Sequence, residues 1–519
     1  MRSVRVRIII MCAALVAAGV GAWLLLSTDK GNDRPISVGT TDEVTTLDPA
    51  GAYDAGSWAV YSNVYQSLLT FKPGSTTPVP DAADACGFTG TSLTTYECTL
   101  RDGLVFANGR EMTAHDVKYS FDRMLGIAAD VGPAALFPTL ESVTAQDRKV
   151  VFRLSARDAT FPLKLATGAG AIVDSTRYPK DKLRDGTTAD GSGPYVLDEY
   201  QPGVRALLKP NPHYKGAMSR PATPVEVRYY AEAEQLANAW RNGDVHVTHR
   251  QLPPQMISTY DPGKEGVQMT EATSAEIRSI VFNVRKGSPM AERAVRQAVA
   301  SLVDRNRIAS GPHHSTVEPL YSLIPRGFVG HSTPFFDNYP DGEEAVDNAR
   351  KLLRDADVDT PVSFTYGHRA GETSAAEAVE LRRQLEATGL FRVKIVAAEW
   401  KDFQKGYAEG RYDAYGLGWL PDFPDSDSFT QPLVGRDNAL QNAYASKTID
   451  RLIAATQQYD DRAGAVDDFK AIQAEVARDV PLVPLWQKKD YVLSSPDVTG
   501  SQYLSDGTGI WRLWQLSWL

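Results

Sequence analysis

Cysteine is nearly absent from this chain: there are three in 519 residues, and one of them, Cys12, lies in the first apolar run. That scarcity excludes a disulfide-dense scaffold and a cysteine-ligated metal cluster. Basic tracts are also missing. Lys and Arg total 55 against 64 Asp and Glu, a formal net charge of −9. A nucleic-acid binder would carry a basic stripe instead, so no such partner is expected. Catalytic signatures are lacking too, with no Gly-x-Ser-x-Gly elbow, no His-Glu-x-x-His, no Gly-Lys-Ser/Thr phosphate loop and no Gly-x-Gly-x-x-Gly. The eight histidines are scattered; His246 and His249 stand an odd number of positions apart, which on a strand puts them on opposite faces. No metal and no cofactor is expected. The ordinary hydrophobic (43%) and charged (23%) fractions exclude global disorder, and the length implies about three structural units.

One long apolar run is present, at the N-terminus. Arg2, Arg5 and Arg7 precede Ile8 to Leu26, which is long enough to span a bilayer and longer than a signal-peptide core. A cleavage site after Ala22 is the alternative, but Trp23 to Leu26 continue the run past it. Residues 1–26 are therefore read as an uncleaved anchor, with the arginines in the cytoplasm and the body outside. Cys12 is too early in the run for a lipoprotein acceptor. Residues 27–35 read as a tether. Outside the anchor only Cys86 and Cys98 remain, with Gly87, Gly90 and Thr/Ser-rich sequence between them. In an exported chain that spacing suits a hairpin closed by a disulfide.

From Ile36 onward short β-like runs alternate with amphipathic helices, the pattern of α/β lobes. Strands are expected at 150–154, 205–209, 225–230, 278–284, 362–366 and 393–397. Thr113 and Asp116 form a capping box opening a helix whose stripe is Val117, Phe121, Met124 and Leu125. Further helices are expected from Ser288-Pro289 and at 343–356, 449–459 and 465–477. Asp422, Asp425 and Asp427 cluster beside Trp419, Phe423 and Phe429. Their spacing lacks the glycine and distal glutamate of a calcium loop. A carboxylate walled by aromatics suits a cationic organic ligand; a solvated turn or a hydrolytic carboxylate pair are the other readings.

Several phrases, taken in order, resemble one family. They are Leu47-Asp-Pro49, Val64 to Leu69, Leu100-Arg-Asp-Gly-Leu-Val-Phe-Ala-Asn-Gly109 running on to Phe121, Gly191-Ser-Gly-Pro-Tyr195, and Lys209 to Gly216. Arg293 to Val299 with Val303-Asp-Arg305, Arg411-Tyr-Asp413 with Gly418 to Asp425, and Val480 to Leu485 follow. The sequence resembles the extracytoplasmic solute-binding proteins of ABC importers, the oligopeptide, dipeptide and nickel family (family 5). The resemblance implies a two-lobed α/β clamp with two hinge crossings, near 278–284 and 485–492, and an extra α/β subdomain in the first lobe. The boundaries it implies are a first lobe of 36–52, 189–281 and 487–519, a subdomain of 53–188 and a second lobe of 282–486. It also implies a receptor rather than an enzyme, monomeric, partnered by a permease and an ATPase subunit. Asp422 takes the position that pairs with a peptide's ammonium, with Trp419 beside it; Tyr53, His368 and Arg369 complete the candidate ligand set. Nickel, haem or an oligosaccharide as cargo, or a signal-peptide sensor, remain open alternatives.

Overall fold

The computed structural model describes residues 34–339, 342–505 and 508–519. The anchor expected at 1–26 and the tether up to residue 33 lie outside them. Among the described residues no helix is long and apolar enough to cross a membrane.

The first lobe is built on the strand Ile36–Thr40, buried along its whole length between the parallel strands Val225–Tyr229 and Val247–His249. A strand covered on both faces cannot alternate polar with apolar residues, which is why Ile-Ser-Val-Gly-Thr carries no charge. Gly39 lets the helix Ala233–Arg241 approach closely: an added Cβ would lie 2.5 Å from a Leu236 methyl. The antiparallel strands Arg205–Pro210 and Tyr195–Gln201 complete this side.

Two long strands, Gln268–Phe282 and Leu482–Ser494, pair antiparallel and carry the same sheet into the second lobe. There it continues through Ala414–Trp419, Val362–Arg369 and Phe391–Ala398. The ladder between the long strands is regular up to Thr273 and resumes at Ile277, so residues 274–276 form a bulge. Ala275 within the bulge and Ile277, Ile280 and Val281 beyond it belong to the second lobe's core. The bulge lies a few residues before the crossing expected at 278–284, and residues ahead of the expected boundary at 282 already pack with the second lobe. The apolar pattern of 277–282 did not reveal this, because it suits either core equally.

The extra subdomain contains a four-stranded antiparallel sheet in the order Ala83–Phe88, Thr95–Leu100, Lys149–Leu154, Leu140–Gln146. The helix Ala114–Ile127 covers it, started by the expected capping box. Phe121 packs edge to face on Phe137 and Phe152, and Phe137 on Phe161, in one core continuous with the first lobe. Cys86 and Cys98 stand directly opposite each other in the hairpin and are joined by a disulfide.

The quoted phrases turn out to be framework. Asp48 is buried and accepts from Arg123 at 2.8 and 2.6 Å and from the Arg184 N–H at 2.6 Å. The Ala107 N–H donates to Gly191, and Asn211 donates to Gly193, so three phrases meet at one point. A Cβ on Gly191 would lie 1.9 Å from the Val64 carbonyl oxygen. In the second lobe, Glu377 on the helix Glu372–Glu386 receives Arg278, His313 and Trp486 at 3.1, 2.9 and 2.8 Å. Burial alone would raise its carboxyl; the Arg278 charge, His313 and Trp486 outweigh that and bring it to about 2.

Two expected helices are corrected. Ser288-Pro289 opens only a short 3-10 turn, Pro289–Ala291, and the α-helix is Arg293–Leu302, capped by the Glu292 side chain. The helix expected at 449–459 is Lys447–Thr456: it starts earlier because Ser446 caps it, three residues upstream of the apolar start, and it ends at a C-cap on Gln457.

Candidate ligand-binding site

The strand Ala414–Trp419 delivers the acidic turn to the space between the lobes. It pairs with the crossing strand over its whole length, but with Val362–Arg369 only at Ala414 and Tyr415. Gly416 to Trp419 therefore form a sheet edge paired on one side. The turn that follows is fastened from within. The Trp419 indole donates to the Ser428 carbonyl at 2.7 Å. Asp425 receives Arg462 through two nitrogens at 2.9 and 3.0 Å, and also caps the Asp427 N–H at 2.8 Å.

The first lobe meets this turn directly. Phe423 is 3% exposed and packs in the first lobe's core. The Ala159 N–H donates to the Gln457 carbonyl at 3.3 Å. Asp422 lies beside Phe423, and the Tyr53 side chain stands near enough to interact with it electrostatically. Tyr53 comes from the loop before the helix Ala55–Val64, whose cap Asp54 accepts from the Ser57 N–H at 2.7 Å, and its ring rests on Trp58 at 5.3 Å. Burial pushes the Asp422 carboxyl up to about 6, although the nearby Tyr53 hydroxyl and the Lys164 charge pull the other way. Burial and the Asp422 charge together raise the Tyr53 hydroxyl.

Two cavities flank the turn. A small one of about 40 Å³ is walled by Trp58, Tyr61, Tyr65, Thr167 and Asp422. A larger one of about 440 Å³ opens between the lobes, within the usual range for small-ligand sites. Ser75 lines it from the first lobe, Ser274 and Gln487 from the crossing strands, and Glu318, Arg326 and Pro424 from the second lobe. Thr508 lines both cavities.

Of the residues singled out in the sequence, the structure brings Asp422 and Tyr53 together. Trp419 is half-buried and fixes the turn. His368 is 2% exposed, its Nδ1 donating to the Arg369 carbonyl at 2.8 Å. Arg369 is exposed and lies over the Trp400 ring at 5.8 Å. Neither lines either cavity. His368 follows Phe364 and Tyr366 on the inward face of its strand, an alternation legible in the sequence. The hydrolytic pairing is not formed: Arg462 occupies Asp425, and Asp427 is buried with its Oδ1 lacking a hydrogen-bond partner. His249 stacks on Trp511 and His246 accepts from the Ser37 N–H. Among the described residues no His, Cys, Asp and Glu group suits a metal ion. Lys164, Glu318, Arg326 and Gln487 were not singled out; Gln487 meets Ser274 and Arg326 only across more than 150 residues, and the pairs Lys164–Asp158 and Arg326–Glu318 match no recognised motif.

Comparison with known proteins places this geometry in a wider setting. A probable D,D-dipeptide-binding periplasmic protein of Escherichia coli strain K12 is 26% identical over 479 residues, covering 89% of this chain and 90% of the relative. The fold matches a dipeptide binding protein of a Pseudoalteromonas species solved with Met-Leu, with a TM-score of 0.80 and 19% identity over 94% of this chain and all of the other. It equally matches the Escherichia coli murein tripeptide binding protein, with a TM-score of 0.79 and 20% identity over 94% and 98% of the two chains. The two-lobed fold is shared by proteins that bind rather than catalyse. The profile of the bacterial extracellular solute-binding proteins, family 5 (middle region), matches residues 77–441, and this chain belongs to that family.

Proposed function

We propose that this chain is a monomeric receptor that holds a peptide between its lobes and delivers it to the permease and ATPase of an ABC importer, tethered to the membrane by its N-terminal run. One observation carries the reading: Asp422 is half-buried on the turn where Phe423 of the second lobe enters the first lobe's core, and it lines the cavity there. A buried carboxylate favours a cationic partner, and a peptide's α-ammonium supplies one. The half-paired edge at Gly416 to Trp419 supports it, because an extended peptide adds to such an edge by backbone hydrogen bonds. The relatives named for dipeptides and tripeptides agree with this cargo.

Native mass spectrometry of freshly purified protein tests the cargo class. A set of adduct masses that dissociate and sequence as short peptides is the expected result. Nickel, haem or an oligosaccharide as the stoichiometric adduct would refute it.

A further inference from the structure

The paired ladder of the two crossing strands is interrupted between Thr273 and Ile277. Backbone groups there need partners from elsewhere, since buried carbonyls are seldom left bare. Gln487, on the facing strand and 1% exposed, supplies one: its Nε2 donates to the Ser274 carbonyl at 2.9 Å. The same amide grips the backbone of Arg326. Its Oε1 accepts from the Arg326 N–H at 3.0 Å, and its Nε2 donates to the Arg326 carbonyl at 3.3 Å. Both amide hydrogens are thereby used, which fixes the group in one orientation. Gln487 joins the bulge to the loop that starts at Arg326.

That loop leads to the acidic turn. Phe328 sets its ring edge to face on Phe429 at 5.1 Å, and the Val329 carbonyl accepts from the Ser426 hydroxyl. Ser426 is fully buried and stands four residues after Asp422; Phe429 lies in the helix Asp427–Val434 that follows the turn. Beyond Val329, the Gly330 carbonyl receives Gln473 of the helix Val466–Asp479 at 2.6 Å. Residues 326–330 are thus held at both ends, so a displacement entering at Arg326 reaches the turn instead of being lost in slack chain. Ser274, Gln487, Arg326, Phe328 and Pro424 all line the 440 Å³ cavity, which places this route along the cleft itself.

We propose that Gln487 is a positioning residue for ligand capture. It passes the set of the hinge bulge through residues 326–329 to the turn that carries Asp422, so bending at the bulge and presentation of Asp422 are one event. The coupling holds for any cargo and goes beyond the peptide reading. A chain of contacts carries such coupling only where a cut at one end is felt at the other, in both directions.

Hydrogen–deuterium exchange of the ligand-free full chain tests this, with thermal midpoints as the folding control. Gln487→Met should speed exchange about tenfold at 274–276, at 326–329 and at 425–429, and leave the strand Val225–Tyr229 unchanged. Ser426→Ala, the milder cut at the other end, should speed the same three segments about threefold, the bulge included, and it decides the matter if Gln487→Met does not fold. Arg123→Met, which loosens the first lobe, should leave all three as in wild type. A turn that keeps wild-type exchange in Gln487→Met, or a bulge that keeps it in Ser426→Ala, overturns the proposal; so does loosening that spreads evenly through the chain. In titrations, tri-alanine should bind Gln487→Met about tenfold more weakly than wild type, and unchanged binding beside a loosened turn also overturns the proposal. If wild type does not bind tri-alanine, the peptide reading fails and the exchange measurements still decide the role of Gln487.

Discussion

Replacing Asp422 by asparagine removes the charge and keeps the shape of the turn, so its effect isolates the ionic contribution. The carboxyl is raised from 3.8 to about 6 by burial. Each unit corresponds to about 1.4 kcal/mol, so the ionised form is disfavoured by roughly 3 kcal/mol relative to water. A peptide ammonium at hydrogen-bond distance offsets most of that, and the Tyr53 hydroxyl need not leave, because a carboxylate has room for several donors. Tri-alanine should therefore bind Asp422→Asn about 100-fold more weakly than wild type. Acetyl-tri-alanine, which offers no ammonium, should bind both proteins about equally poorly. Isothermal titration of the two ligands against the two proteins gives a coupling of about 2–4 kcal/mol. A coupling within about 0.5 kcal/mol of zero would mean that Asp422 only shapes the turn.

Three more outcomes are expected. Because the ligand needs Asp422 ionised and the empty site holds its proton up to about 6, tri-alanine affinity should rise about tenfold per pH unit from pH 4.5 to 6 and then level off; a flat profile in titrations at five pH values would contradict this. Glu377, held at about 2 against an ordinary 4.5, contributes stability that is present above pH 4.5 and lost as pH falls toward 2. Urea unfolding should accordingly show Glu377→Gln about 3 kcal/mol less stable than wild type at pH 6, with the gap closing near pH 2. Arg123→Met leaves the buried Asp48 without its counter-ion and should lower stability by about 3–5 kcal/mol in the same assay; a loss under about 1 kcal/mol would show that the Arg184 N–H and other donors suffice.

The frame was more legible in the sequence than the site, for a physical reason. A capping box is local chemistry, whereas the close approach at Gly191 and the buried Asp48 were legible through the short family phrases that contain them. Asp116 caps its own helix three residues away, and Gly191 is glycine because a backbone carbonyl lies where a Cβ would be. The site joins residues from opposite lobes. Tyr53 meets Asp422, and Gln487 ties Ser274 to Arg326, through contacts set only once the sheet is assembled. Asp422 itself was found through family resemblance and its aromatic neighbours. Trp419, expected as a ligand wall, spends its polar atom on Ser428. The helix onset at Arg293 was misjudged because Ser288-Pro289 carries a start signal that the chain uses for a single turn.

Phe423 has a kinetic consequence. Its ring is carried by the second lobe yet packed among the side chains of the first, so the lobes cannot separate without drawing a phenylalanine into water. Full exposure of such a ring costs about 2 kcal/mol. If that exposure precedes the barrier to opening, it slows the step roughly 30-fold. The penalty applies whatever the cargo is. The dwell time of a bound solute would then have a floor set by one aromatic side chain next to the charged anchor, and affinity would be tuned above that floor by the ligand's own contacts.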